Sequence, residues 1–70
     1  METITTAAEW NARMERNTGR EAVIVVHDDG RTVDATMDKP SAEIYAAVIG
    51  APSGWSVQAI DRFTVRFAQL

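Results

Sequence analysis

The Asp-Gly pair at positions 29 and 30 constrains the fold of this chain more than any other feature. It separates the β-branched run "AVIVV" from the alternating segment "RTVDATM". Such a pair between two strand-like runs is typical of a two-residue, type I′ β-hairpin turn, in which glycine supplies a positive φ angle. A turn centred on these two residues places Asp28 opposite Arg31 and Val26 opposite Val33, which fixes the register of the whole hairpin.

The side-chain pattern supports the same register. A shift of one residue would bring Asp34 into line with the apolar positions, so turn chemistry and side-chain pattern agree. In the predicted register one face of the hairpin is apolar and forms part of the core. Its residues are Ala22, Ile24, Val26, Val33, Ala35 and Met37.

A helix is predicted before the hairpin, over residues 7 to 18. Thr6 and Glu9 have the spacing of a capping box, and Gly19 stands where a helix would end. Trp10 and Met14 recur one turn apart, which favours packing in the core over a ligand site.

A second, shorter helix is predicted in "SAEIYAAVIG". Ser41 can cap its start and Gly50 can end it. Ile44, Ala47 and Val48 share one side of this helix, which is the side expected to face the core.

The C-terminal segment "WSVQAIDRFTVRFAQL" alternates apolar and polar residues except near Asp61. We expect one strand that bends there, because a two-residue turn at Asp61 and Arg62 would place apolar residues of one arm opposite polar residues of the other. A second hairpin is the alternative.

These elements predict a single α+β domain, residues 1 to 70, in the order α-β-β-α-β. We expect a two-layer sandwich in which both helices cover one face of an antiparallel three-stranded sheet. A right-handed crossover through the second helix would give the spatial order 2-1-3, with the run "AVIVV" as the central strand.

Charge and composition narrow the function. The formal net charge is −3, and residues 21 to 43 contain six acidic against two basic side chains. This balance argues against direct nucleic-acid binding, which usually requires a basic surface. The chain has no cysteine, which excludes disulfides and Cys-ligated zinc, and no apolar run long enough for a membrane span. We expect a cytoplasmic protein.

The second face of the hairpin is left open by this arrangement. Val23 and Val25 on this face are surrounded by carboxylates. Glu21 lies opposite Asp38, and sheets normally avoid such a like-charge pair. The competing interpretation is that Arg62 and Arg66 of the last strand neutralise these acids. The predicted partner-binding residues are Glu21, Val23, Val25, Asp28, Asp29, Asp34 and Asp38.

Neither a metal site nor a catalytic site is predicted. His27 and Asp28 are successive strand residues that point to opposite faces, and the chain has no second histidine. Ser41, Ser53 and Ser56 have no base at a diagnostic spacing. We therefore expect no cofactor and no enzymatic activity.

Recognition of another macromolecule is the remaining class of function. Small size, absence of cysteine, an acidic hairpin and absence of a catalytic set resemble the inhibitors that phages and mobile elements direct against bacterial defence, the anti-CRISPR proteins among them. This resemblance lies in composition, without a shared motif or transferred residues. It implies a monomer that docks an acidic face on a basic protein or nucleoprotein complex. Mimicry of DNA is the sharper form of this hypothesis. The alternative is a structural or regulatory homodimer that uses the same face.

Overall fold

The computed structural model describes residues 6–18, 22–51 and 53–70. None of the helices in these ranges is long and apolar enough to cross a membrane. The first helix has the bounds that the sequence predicts. The elements are α1 (Ala7–Thr18), β1 (Val23–Val26), β2 (Thr32–Thr36), α2 (Ala42–Ile49), β3 (Trp55–Ala59) and β4 (Thr64–Gln69).

The four strands form one antiparallel sheet in the order β1-β2-β4-β3. The prediction of a three-stranded sheet with the order 2-1-3 is therefore wrong, although the α+β class is confirmed. β4 lies between β2 and β3, so β2 and β4 are the central strands and β1 is an edge strand. The valine-rich run expected at the centre is largely exposed instead.

The C-terminal segment forms a hairpin, not one bent strand. Ala59 pairs with Val65 and Val57 with Phe67, and the N–H of Ile60 donates to the carbonyl of Thr64 at 3.0 Å. The turn between Ile60 and Thr64 thus contains three residues, which keeps odd positions opposite odd positions. The two-residue turn considered from the sequence would have mixed the faces, whereas a three-residue turn does not.

The register of the first hairpin is confirmed, with Val26 opposite Val33 and Ile24 opposite Ala35. Gly30 has a positive φ of 66°, as predicted, but no described non-glycine residue does, so the turn is not type I′. The N–H of Gly30 donates to the carbonyl of His27 at 3.0 Å. The loop therefore contains four residues built around a turn at positions 28 and 29, and this longer loop preserves the pairing.

The predicted pairing of Arg31 with Asp28 is replaced by contacts with β4. The carbonyl of Arg31 accepts the N–H of Gln69 at 2.8 Å, and the Arg31 guanidinium donates to the Gln69 carbonyl at 3.2 Å. Arg31 thereby extends the pairing of the two central strands beyond the end of β2.

Both helices pack on the same face of the sheet, as predicted. Trp10 of α1 is fully buried; its ring stacks on Phe67 with centroids 3.8 Å apart and meets Trp55 edge-on at 5.2 Å. Met14, one turn later, is also fully buried. The prediction that Trp10 and Met14 belong to the core is confirmed.

The side of α2 that packs against the core is not the side that the sequence predicted. Ala42, Tyr45 and Ile49 are buried, whereas Ile44 is 67% and Val48 52% exposed. Two apolar stripes compete on this short helix, and the buried stripe is the one that includes the tyrosine ring and spans the helix from its first residue to its last. Burial of the larger side chain accounts for the choice.

Replacing Gly30 by Val should destabilise the protein by about 1 kcal/mol or more, because a β-branched residue is strained at positive φ. A Cβ at this position would meet no atom within 4 Å, so the cost is conformational and not steric. Gly30→Asn is the control, since asparagine tolerates this conformation better. Urea denaturation of both variants measures the difference; equal midpoints would contradict the strained geometry.

Candidate partner-binding face

The sheet face opposite the helices, called the open face below, is formed by alternate residues of all four strands. It is polar in the middle and apolar along β1. Its residues are Val23, Val25, His27, Thr32, Asp34, Thr36, Ser56, Gln58, Thr64, Arg66 and Ala68.

Asp34 lies at the centre of the open face in a three-residue network. Arg66 is its direct neighbour on β4 and donates from Nε to Oδ1 at 2.7 Å and from Nη2 to Oδ2 at 2.9 Å. Nε2 of His27 lies 2.7 Å from Oδ2. The bidentate contact with Arg66 is the main cause that lowers the pKa of the Asp34 carboxyl.

This network realises the competing interpretation for one of the predicted acids. Arg66 neutralises Asp34, and it does so from β4 beside β2, not from a strand beside β1. The pairing fixes both oxygens of Asp34 within the protein. Asp34 is thus an unsuitable direct ligand for a basic partner, and the centre of the open face carries no net negative charge from this pair.

The two aspartates at the hairpin tip have different environments. Asp29 accepts the backbone N–H groups of Arg31 and Thr32 at 2.8 and 2.9 Å and the Thr32 hydroxyl at 2.8 Å. The hydrogen bond from the Arg31 N–H is the main cause that lowers the pKa of Asp29. Asp28 is exposed and makes no contact of this kind with the described residues. Asp29 therefore fixes the turn, whereas Asp28 presents its charge to solvent.

The remaining predicted residues lie around β1. Val23 is 69% and Val25 54% exposed, so the structure places both on the surface as expected. Asp38 is exposed beyond the end of β2, at the opposite end of the hairpin from Asp28. Glu21, and with it the expected like-charge pair, lies outside the described residues.

Val26 is a surface residue that the sequence interpretation placed in the core. It belongs to the core-facing side of the hairpin, yet it is 50% exposed, and β1 is an edge strand with a neighbour on one side alone. The exposure of Val26 depends on the strand order of the sheet. The alternation of apolar and polar residues in the hairpin does not indicate that order.

The described ranges offer little support for a metal site or a catalytic site. No group of three His, Cys, Asp or Glu side chains there could hold a metal ion. A groove of about 480 Å³ between the start of α2 and the turn after β3 includes Glu43, Asp61 and Arg62. The Asp61 carboxylate accepts the N–H of Phe63 at 2.8 Å, so it serves the turn. The groove brings no histidine near these groups.

Comparison with models of known protein families found no match to this chain. Comparisons with curated proteins and with solved structures found none either.

Replacing Asp34 by Asn should lower the urea midpoint at pH 7 by about 0.5 M, because the ionised carboxylate is stabilised by its neighbours in the folded state. A lowered folded-state pKa contributes stability above the ordinary aspartate value of 3.8 and loses it as the pH falls through the folded value. The difference between wild type and variant should therefore shrink as the pH falls below the ordinary aspartate value. A difference independent of pH would contradict the role given to this charge. Asp28→Asn is the control and should have little effect at either pH.

Addition of calcium, zinc or magnesium at micromolar concentration should leave the melting temperature unchanged to within about 1 °C, since a ligand that binds only the folded state would raise it. Differential scanning calorimetry provides the measurement. An increase of many degrees with any of the three ions would show that His27 and the neighbouring aspartates bind metal after all.

Proposed function

We propose that this protein is a non-catalytic, protein-binding inhibitor that docks its β1–β2 hairpin on a basic, nucleic-acid-binding surface of a larger protein or nucleoprotein complex. The observation that carries the proposal is the exposed pair of valines, Val23 and Val25, on a strand with an exposed carboxylate beyond each end of its hairpin. Those carboxylates are Asp28 at the tip and Asp38 at the open end. We propose that the protein acts in the cytoplasm, as an inhibitor of the anti-CRISPR kind that its composition resembles.

The two kinds of residue have different roles in such a contact. Apolar side chains that become fully desolvated supply most of the binding free energy and set the residence time. Carboxylates at the margin chiefly set the association rate and its dependence on salt. The hairpin has this arrangement, with valines in the middle and charges at both ends.

The neutralised centre of the open face changes the form that the contact can take. A DNA mimic needs a regular row of free carboxylates, and Asp34 is not free. Recognition through the two ends of the hairpin is therefore better supported than mimicry of a phosphate backbone by the face itself.

A structural or regulatory homodimer is the second candidate, and the same exposed valines favour it. In that function the open faces of two copies would bury Val23 and Val25 against each other. The Asp34–Arg66 pair would then become enclosed, which is costly unless its hydrogen bonds are retained. The exposed carboxylates at both ends of the hairpin favour a basic partner over a copy of equal charge, and they are the reason for ranking the heterologous contact first.

The partner would first be recovered by affinity capture from a host extract and then purified. Replacing Asp28 and Asp38 by Lys should weaken its binding at least tenfold, or by about 1.4 kcal/mol. The loss should appear mainly in the association rate and should shrink as salt is raised. Double-stranded DNA should compete with the protein for the same partner. Surface plasmon resonance measures all three effects.

The matched control is the reversal of Glu15 and Glu43, which are exposed acids on α1 and α2. It changes net charge by the same amount away from the hairpin, so binding should change little. Equal losses in the two double variants would mean that only net charge matters. No loss in either would contradict the proposed function.

A further inference from the structure

The outer edge of β1 carries backbone groups whose direction follows from the hairpin ladder. The N–H of His27 donates to the carbonyl of Thr32 at 2.8 Å, so these residues form a hydrogen-bonded pair. Hydrogen-bonded pairs alternate along antiparallel strands, and Val25 and Val23 therefore also direct their backbone groups towards β2. Ile24 and Val26 direct theirs away from the sheet.

These outward groups have no hydrogen-bond partner among the described residues. The next outward N–H along the strand, that of Ala22, is already taken by the side-chain oxygen of Asn11 on α1 at 3.2 Å. The helix thus closes one end of the edge. Two donors and two acceptors, on Ile24 and Val26, have no partner in the described part of the chain.

The strand is short, at four residues, but it lacks the side chains that usually protect an edge. Natural edge strands carry a lysine, a proline or an inward-pointing charge that prevents pairing with another chain. β1 has the sequence VIVV, with neither charge nor proline. Three of its four side chains are at least half exposed: Val23, Val25 and Val26.

We propose that β1 pairs with β1 of a second copy, antiparallel across a two-fold axis at Val25, to form a continuous eight-stranded sheet. In this register Ile24 lies opposite Val26 of the second copy, and all four open groups form hydrogen bonds across the axis. Val25 meets Val25 of the second copy in a non-hydrogen-bonded pair, where side chains approach most closely. A symmetric register centred on Ile24 would use fewer of these groups, because Asn11 occupies the N–H of Ala22.

Charge favours a second copy over a basic strand from another protein at this edge. A basic strand would find no acid along β1 to pair with. In the two-fold register Asp28 lies opposite Ala22 of the second copy, so the two Asp28 carboxylates do not face each other across the edge. The dimer departs from the monomer that the resemblance in composition implied. The strand order expected from the sequence placed β1 at the centre of the sheet, where it would have no free edge.

This contact is distinct from the proposed function and from the face-to-face homodimer. Edge pairing leaves the open face and both hairpin tips accessible, so the protein could bind a partner as a dimer. The edge buries a modest apolar area, which predicts a weaker self-association than that of an obligate dimer.

Single-cysteine variants test the register directly, because the chain has no cysteine of its own. Under mild oxidation Val25→Cys should form a disulfide-linked dimer at least tenfold faster than Val23→Cys or Val48→Cys. Val23 is the control on the same strand and face, since it would lie about 13 Å from its own copy. Val48 is the control on α2, with 52% exposure against 54% for Val25. Equal rates for all three would overturn the proposal.

Sedimentation equilibrium separates edge pairing from face pairing. Val26→Pro removes an outward N–H without breaking the β1–β2 ladder, and it should raise the dimer dissociation constant at least tenfold. If this variant does not fold, Val25→Lys should weaken the dimer, since two lysines would meet at the axis, whereas Gln58→Lys on the open face of β3 should leave it intact. Face pairing would be weakened by both variants. A wild-type protein that stays monomeric up to about 1 mM, or a dimer unaffected by Val26→Pro in a folded variant, would overturn the proposal.

Discussion

The stack of Trp10 on Phe67 is the contact on which the other contacts of this fold depend. It joins the first helix to the central strand β4, and the edge contact with Trp55 extends the junction to β3. With 70 residues and no cysteine, the chain has neither disulfides nor a large core to stabilise it. Large aromatic side chains bury the most apolar area per residue, and their mutual geometry adds to it. The helix therefore attaches where these rings are concentrated.

The position of β4 also determines the electrostatics of the opposite face. Alternation along one strand places Val65 and Phe67 in the core and Arg66 between them on the open face. Because β4 lies beside β2, Arg66 meets Asp34 directly. β4 thus contributes to the core on one face and neutralises Asp34 on the other. The exposed carboxylates of the β1–β2 hairpin are then those at the two ends of the hairpin. This separation of charge from apolar area is what directs both proposed contacts to β1.

Local features of the fold could be predicted from the sequence, and long-range ones could not. The bounds of α1, the hairpin register and the burial of Trp10 follow from periodicity and turn chemistry within a few residues. The β3–β4 hairpin was missed because only a two-residue turn was considered, and strand order was missed because a valine-rich run suits both centre and edge. Exposure of Val23 and Val25 could be anticipated, but the pairing of Asp34 depends on which strand lies beside β2.

The two tryptophans of the chain lie together in the core, and this gives the protein an internal spectroscopic reporter. Indole rings 5.2 Å apart and nearly perpendicular should couple strongly in circular dichroism and change emission together when α1 leaves the sheet. The described part of the open face carries no tryptophan, tyrosine or phenylalanine. Intrinsic fluorescence therefore reports the docking of the first helix, whereas events on the opposite side of the sheet require an added dye.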